Sequence, residues 1–292
     1  MLSLTDEYEL YLKLEKGLSP NSVDAYMRDL NRLMLFLNDA KVEPLQASFE
    51  VLRDFIVEIA NIGIHARSQA RILSGVKSFY RFLIYKNKLE TDPTELLESP
   101  KIGMYLPDVL SVSEIDAIVN SIDLSLPLGQ RNKAIIETLY GSGLRVSELI
   151  NLQLSRMNTA EGYMMVEGKG SKQRLVPLSP TSLVQIEYWL IDRNLMQIKK
   201  GNEDYLFISK RGTKLTRAMI FEIVKTLAER AGIRKKISPH TFRHSFATHL
   251  LENGANLRAI QLLLGHESIT TTEIYTHIDV SMIRDTNMKF HP

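Results

Sequence analysis

The chain has 292 residues, 44% of them apolar and 24% charged, with a formal net charge of +2. That is ordinary globular usage at a length suited to two domains, and it excludes disordered, collagenous and repeat architectures. The absence of cysteine excludes a disulfide framework, thiolate catalysis and Cys-based zinc or iron–sulfur sites.

The first residues, MLSLTDEYELYLKLEKG, are charged from Asp6 onward, and no signal peptide is expected. Apolar runs fall far short of the roughly 20 residues that span a bilayer, so a cytoplasmic protein is expected. Ser19-Pro20 reads as an N-cap followed by proline at the first helical position. Val23, Tyr26, Met27, Leu30, Leu33, Met34 and Leu37 then recur at helical spacing. Helices are also expected over 2–15, 48–61 and 66–85. Residues 1–97 thus read as a small four-helix domain.

Residues 61–88 hold Arg67, Arg71, Lys77, Arg81, Lys86 and Lys88 and no Asp or Glu. Such a local stripe suits a polyanion, although a solvated helix face has the same composition. Residues 98–110 carry two prolines and a glycine and read as a linker. From 111 to 292 a second domain is expected, mostly helical with one small antiparallel sheet. A capping box at Ser111–Glu114 opens it. Helices are expected over 112–122, 130–140 (stopped by Gly141), 145–151, from Ser179-Pro180, and over 216–231, 239–253, 256–264 and 271–277. Strands are expected over 163–167 and 174–177, around the turn Gly168-Lys169-Gly170-Ser171-Lys172-Gln173, with a third over 205–209. The fold class is therefore mainly α, with an α+β second domain. No glycine-rich nucleotide loop is present.

Five of the seven histidines, 240, 244, 249, 266 and 277, fall close together. His240 and His244 have the i,i+4 spacing of a metal pair. However, Ser238-Pro239 puts His240 and Arg243 at the start of a helix, where the dipole and an arginine repel a cation and attract an anion. Unrelated surface or core histidines would also give this spacing. An anion site fits better: His240 and Arg243 share a face, Arg145 follows a Gly141-Ser-Gly143-Leu turn, and Lys169 sits at a hairpin tip. Arginines hold a phosphodiester through paired N–H bonds.

Arg145, Lys169, His240-x-x-Arg243, Gly265-His266 and Tyr275, with the flanks GSGLRVSEL, VEGKGSKQRLVPL, SPHTFRHSFATHLLENGA and QLLLGHESITTTEIYTH, resemble the tyrosine recombinase (phage integrase) family. The resemblance covers the whole chain. SPNSVDAYMRDLNRLMLFL and RSQARILSGVKSFYRFL are similar to the core-binding domain of the bacterial Xer enzymes. It implies that Tyr275 attacks the scissile phosphate and leaves a 3′-phosphotyrosine, with Arg145 and Arg243 clamping the non-bridging oxygens. It further implies His266 as a hydrogen-bond donor, Lys169 as general acid and His240 as general base. Neither metal nor ATP is required by that chemistry. Glu148 is expected to orient Arg145, and His244 and His249 to be structural.

DNA contacts are expected from Arg67, Arg71, Lys77, Arg81, Lys172 and Arg174, extended by Arg211, Lys214 and Arg217. The resemblance implies a dif-like duplex site, a tetramer on DNA, a second XerC-like recombinase and a DNA translocase at the division septum as partners, in chromosome dimer resolution. The tail, 278–292, is expected to dock on a neighbouring protomer, or to fold back in cis or stay disordered in the free chain. The same hexad would serve an integrase or transposon recombinase of a mobile element, or a type IB topoisomerase-like enzyme. A DNA-binding protein without cleavage is disfavoured by the complete hexad.

Overall fold

The computed structural model describes residues 2–101, 103, 108–168, 173–265 and 285–292. The chain divides into two compact units, Met1–Tyr105 and Leu106–Pro292.

The first unit is helical. Helix α1 (Leu4–Leu10) is capped by Ser3 and Asp6 and runs on as a π turn, Tyr11–Glu15. Helices α2 (Pro20–Asp39) and α3 (Phe49–Asn61) start at the side chains of Ser19 and Ser48, each accepting from the backbone three residues on. Helix α4 spans Ala66–Tyr85. Its apolar face, Ile72, Val76, Phe79 and Leu83, is fully buried against Tyr8, Leu30, Leu33 and Phe55. Helices α2 and α4 meet where Gly75 faces Asp29: a Cβ at Gly75 would lie 2.8 Å from Asp29 Cβ. That close approach buries the Asp29 carboxylate, which accepts from Arg71 Nη1 at 2.5 Å.

The second unit is built around α6 (Gly129–Ser142), which packs on α8 (Pro180–Asn194) and α10 (Pro239–Glu252). The expected stop at Gly141 is corrected here. A Cβ at Gly141 would lie 2.5 Å from Ser179 Oγ, so this glycine admits α8 and the helix runs on. The stop is Gly143, left-handed at φ +57°. Further helices among the described residues are α5 (Val112–Asn120), α7 (Val146–Leu149), α9 (Arg217–Arg230) and α11 (Leu257–Leu264). Three antiparallel strands, β1 (Met157–Asn158), β2 (Tyr163–Glu167) and β3 (Gln173–Pro177), form one sheet in chain order. The third strand is thus Met157–Asn158. Residues 205–209 make only single bridges, Gln153 to Tyr205 and Ile208 to Lys214. Side chains hold them as well: Trp189 Nε1 donates to the Leu206 carbonyl at 2.9 Å, and Arg193 caps the Tyr205 carbonyl.

Residues 285–290 are helical and lie on this same unit. Asn287 Nδ2 donates to the Gly141 carbonyl at 3.2 Å, and Asn253 Nδ2 to the Phe290 carbonyl at 2.7 Å. The His291 ring lies 4.5 Å from that of Tyr140 and 5.4 Å from that of Phe246. The described end of the tail therefore sits in cis. Among the described residues no helix is long and apolar enough to cross a membrane.

Candidate active site

Arg145 is the N-cap of α7 and Glu148 its third residue. In a capping box the third residue reaches back to the N-cap backbone, and Glu148 does so, accepting from the Arg145 N–H at 2.8 Å. The same carboxylate accepts from Arg145 Nη1 at 2.9 Å and Arg174 Nη2 at 2.9 Å, and lies 3.9 Å from Arg243 Nη1. Glu148 is only 2% exposed. One buried carboxylate thus faces three guanidiniums, which leaves the cluster with excess positive charge.

The three arginines share a second partner. The carbonyls of the last turn of a helix have no intrahelical donor and lie at the negative end of its dipole. At the end of α11, Leu263 accepts from Arg174 Nη1 at 2.7 Å, Leu264 from Arg243 Nη2 at 2.6 Å, and Gly265 from Arg145 Nη2 at 3.1 Å. Arg243 Nη1 also donates to the Gly143 carbonyl at 2.7 Å. Burial, then the charges of Arg145 and Arg174, push the Arg243 guanidinium down to about 9, with Glu148 opposing. It is charged at neutral pH.

Arg145 keeps a third of its side chain open to solvent. Two of its five N–H donors are spent on Glu148 and Gly265, and the rest can meet an anion. His240, the second residue of α10, is exposed, and Arg243 begins the next turn. Lys169, Lys172, His266 and Tyr275, as well as the helix expected over 271–277, lie outside the described residues. His249 is buried with Nδ1 at 2.8 Å from the Tyr140 hydroxyl, whereas His244 is exposed.

Arg174, expected among the DNA contacts, does not lie on an open surface. Its side chain is 7% exposed and bound to Glu148 and Leu263. The alternation of β3 carries a signal for this, because Arg174 shares the inward face with Val176. In the first unit, Arg67, Arg71 and Arg81 are exposed on one face of α4, with Lys77 half-buried beside them. Arg71 is tied to Asp29, Lys86 to Glu15 at 2.7 Å and Lys88 to Glu7 at 2.6 Å. Arg67, Lys77 and Arg81 make no ion pair among the described residues. Lys214 packs over the Tyr205 ring at 4.7 Å.

Residues 108–282 match the Phage integrase family, and residues 5–87 its N-terminal SAM-like domain. The tyrosine recombinase XerD of Staphylococcus haemolyticus (strain JCSC1435) is 38% identical over 100% of this chain and 99% of its own length. The chain belongs to the phage integrase family. Within these tyrosine recombinases it is XerD-like: XerD of Staphylococcus aureus (strain Mu50 / ATCC 700699) is 39% identical over 100% of this chain and 99% of that one. The family fold is shared by the XerH site-specific recombinase bound to palindromic difH substrate in a post-cleavage complex. That structure has a TM-score of 0.74 at 23% identity, covering 96% of this chain and 83% of that one.

Proposed function

We infer that this tyrosine recombinase cuts and rejoins duplex DNA at a specific site through a 3′-phosphotyrosine, in Xer-type chromosome dimer resolution. The observation that carries the reading is the convergence of Arg145 and Arg243 on one buried carboxylate and on successive carbonyls of α11. This fixes two guanidiniums at a site with excess positive charge, suited to a phosphodiester whose negative charge grows in the pentacoordinate transition state.

The Tyr275 oxygen forms a bond to the scissile phosphorus as the bond to the 5′ oxygen breaks. His240 takes the tyrosine proton, Lys169 gives one to the leaving 5′ oxygen, and His266 donates to the phosphate. A 5′ hydroxyl of the second duplex then attacks the phosphotyrosine and expels Tyr275. The phosphotyrosyl bond keeps the phosphodiester's energy, so rejoining needs no ATP, and Arg145, Arg243 and Lys169 take the charge-stabilising place of a metal ion. Arg67, Lys77 and Arg81 sit on DNA phosphates beside the core site. A dif-like duplex, a tetramer including a second XerC-like recombinase, a septal DNA translocase and a cytoplasmic location complete the reading, which follows from the likeness to XerD.

The test is covalent capture on a nicked suicide duplex. The wild-type chain is expected to form the adduct in excess EDTA. Tyr275→Phe is expected to bind the duplex and form no adduct. An adduct with the variant would remove Tyr275 as nucleophile, and cleavage that required a divalent ion would remove the metal-free mechanism.

A further inference from the structure

We propose that Arg174 is a positioning residue of the strand-transfer site, holding Glu148 and the end of α11 where Arg145 and Arg243 need them. The proposal rests on the recombinase reading above. It replaces a role in DNA contact with one inside the protein.

Arg174 grips both Glu148 and the end of α11. Nη2 donates to Glu148 Oε2 at 2.9 Å and Nη1 to the Leu263 carbonyl at 2.7 Å. Its backbone is fixed by the ladder, where Arg174 pairs with Val166 on the inward face of β2 and β3. Its side chain lies against Gly265: a Cβ there would be 2.6 Å from Arg174 Cδ and 2.7 Å from Nε. Gly265 is also left-handed at φ +63°. Only a glycine lets this arginine pass under the helix end and lets the chain turn from α11 toward His266.

The three arginines are not equivalent. The side chain of Arg145 is 34% exposed, that of Arg243 10% and that of Arg174 7%, and on the recombinase reading Arg145 and Arg243 are the pair that meets the phosphate. A guanidinium that turns toward a phosphate has fewer N–H groups left for Glu148 and for the α11 carbonyls. Arg174 is held inside the sheet, and on this proposal it keeps its contacts to Glu148 and Leu263 when DNA binds. It thereby keeps Glu148 in reach of Arg145, and the residue before His266 in place, while the other two engage substrate. A lysine cannot do this, because one ammonium lacks the planar fork that spans a carboxylate and a carbonyl at once.

The experiment compares full-length wild type, Arg174→Lys, Arg174→Gln and Tyr275→Phe on the nicked duplex. In both Arg174 variants the single-turnover rate of covalent capture at saturating DNA is expected to fall by about 30-fold, the kinetic equivalent of one charge-assisted hydrogen bond. The duplex Kd should stay within about threefold, and its salt slope should not change. Amide exchange over 262–265 should rise while the first unit exchanges as in wild type. Capture by Arg174→Lys at the wild-type rate would overturn the proposal. So would a rate loss recovered at higher DNA concentration with a slope shallower by about 0.9, which marks a lost phosphate contact. An adduct with Tyr275→Phe would instead refute the recombinase reading itself, and the exchange at 262–265 would then still report whether Arg174 holds the helix end.

Discussion

Replacing Glu148 by glutamine tests the arginine cluster directly. The substitution preserves shape and removes one negative charge from a site 2% exposed to solvent. Arg145 Nη1 and Arg174 Nη2 each lose a charged acceptor at 2.9 Å, and one of them is left facing an amide N–H. Arg243, at 3.9 Å, loses a neighbour that favours its charged form. Removing one partner of a buried ion pair costs about 3–5 kcal/mol, because the remaining charge stays buried. For a unit of this size each kcal/mol moves the midpoint by about 2–4 °C, so the second unit should melt about 10 °C lower. Calorimetry at pH 7.5 in a buffer without phosphate or sulfate measures this. Adding sulfate should recover more of the loss in the variant than it adds to the wild type, because the uncompensated guanidiniums gain an anion. A midpoint within about 2 °C of wild type, with no extra response to sulfate, would refute the idea that Glu148 is the cluster's counter-charge.

Replacing Arg67, Lys77 and Arg81 together by alanine should make the slope of log K against log salt for duplex binding shallower by about 0.9 per lost contact, and an unchanged slope would return them to a solvated face. Arg71→Ala should instead lower the thermal midpoint, since it leaves the buried Asp29 carboxylate without its partner; a variant with the wild-type midpoint and a shallower slope would place Arg71 on DNA. The tail should loosen in acid. Burial pushes the His291 imidazole down to about 4, and His249 beside it acts in the same direction. The undocked tail, with an ordinary histidine near 6.5, binds the proton more tightly, so docking is full above that value and weakens as pH falls from about 6.5 toward 4. Amide exchange over 285–292, scaled to the free-peptide rate at each pH, should rise over that window and not in His291→Ala.

The helices were legible where a local rule decides them. Ser19-Pro20, Ser48, Ser111–Glu114 and Ser179-Pro180 each carry their cap within four residues, and each helix begins there. The face of α4 was legible because burial of Ile72, Val76, Phe79 and Leu83 follows the helical period. Misreadings arise where a distant element decides. Gly141 and Gly143 look alike in the sequence, and only the packing of Ser179 against one and the turn at the other separate them. Residues 205–209 have strand composition, yet the Tyr205 and Leu206 carbonyls are taken by Arg193 and Trp189 of α8, and that of Ile208 by Arg131 of α6.

The arginine cluster shows why site legibility also has a limit. Arg145 and Glu148 are three residues apart, and the capping box relates them within one turn. The alternation of β3 gives the inward face of Arg174, but neither its partner nor the helix it reaches follows from local spacing. The fan of carbonyls at Leu263, Leu264 and Gly265 has no side-chain signature at all. It exists because a helix end always leaves acceptors unfilled, and three cations from α7, β3 and α10 arrive there together. The same contacts that satisfy the backbone of α11 also fix each guanidinium on its own carbonyl. A cluster of positive charge is thereby stabilised by the fold's own partial negative charges, and under the proposed function these are the groups that receive the phosphate.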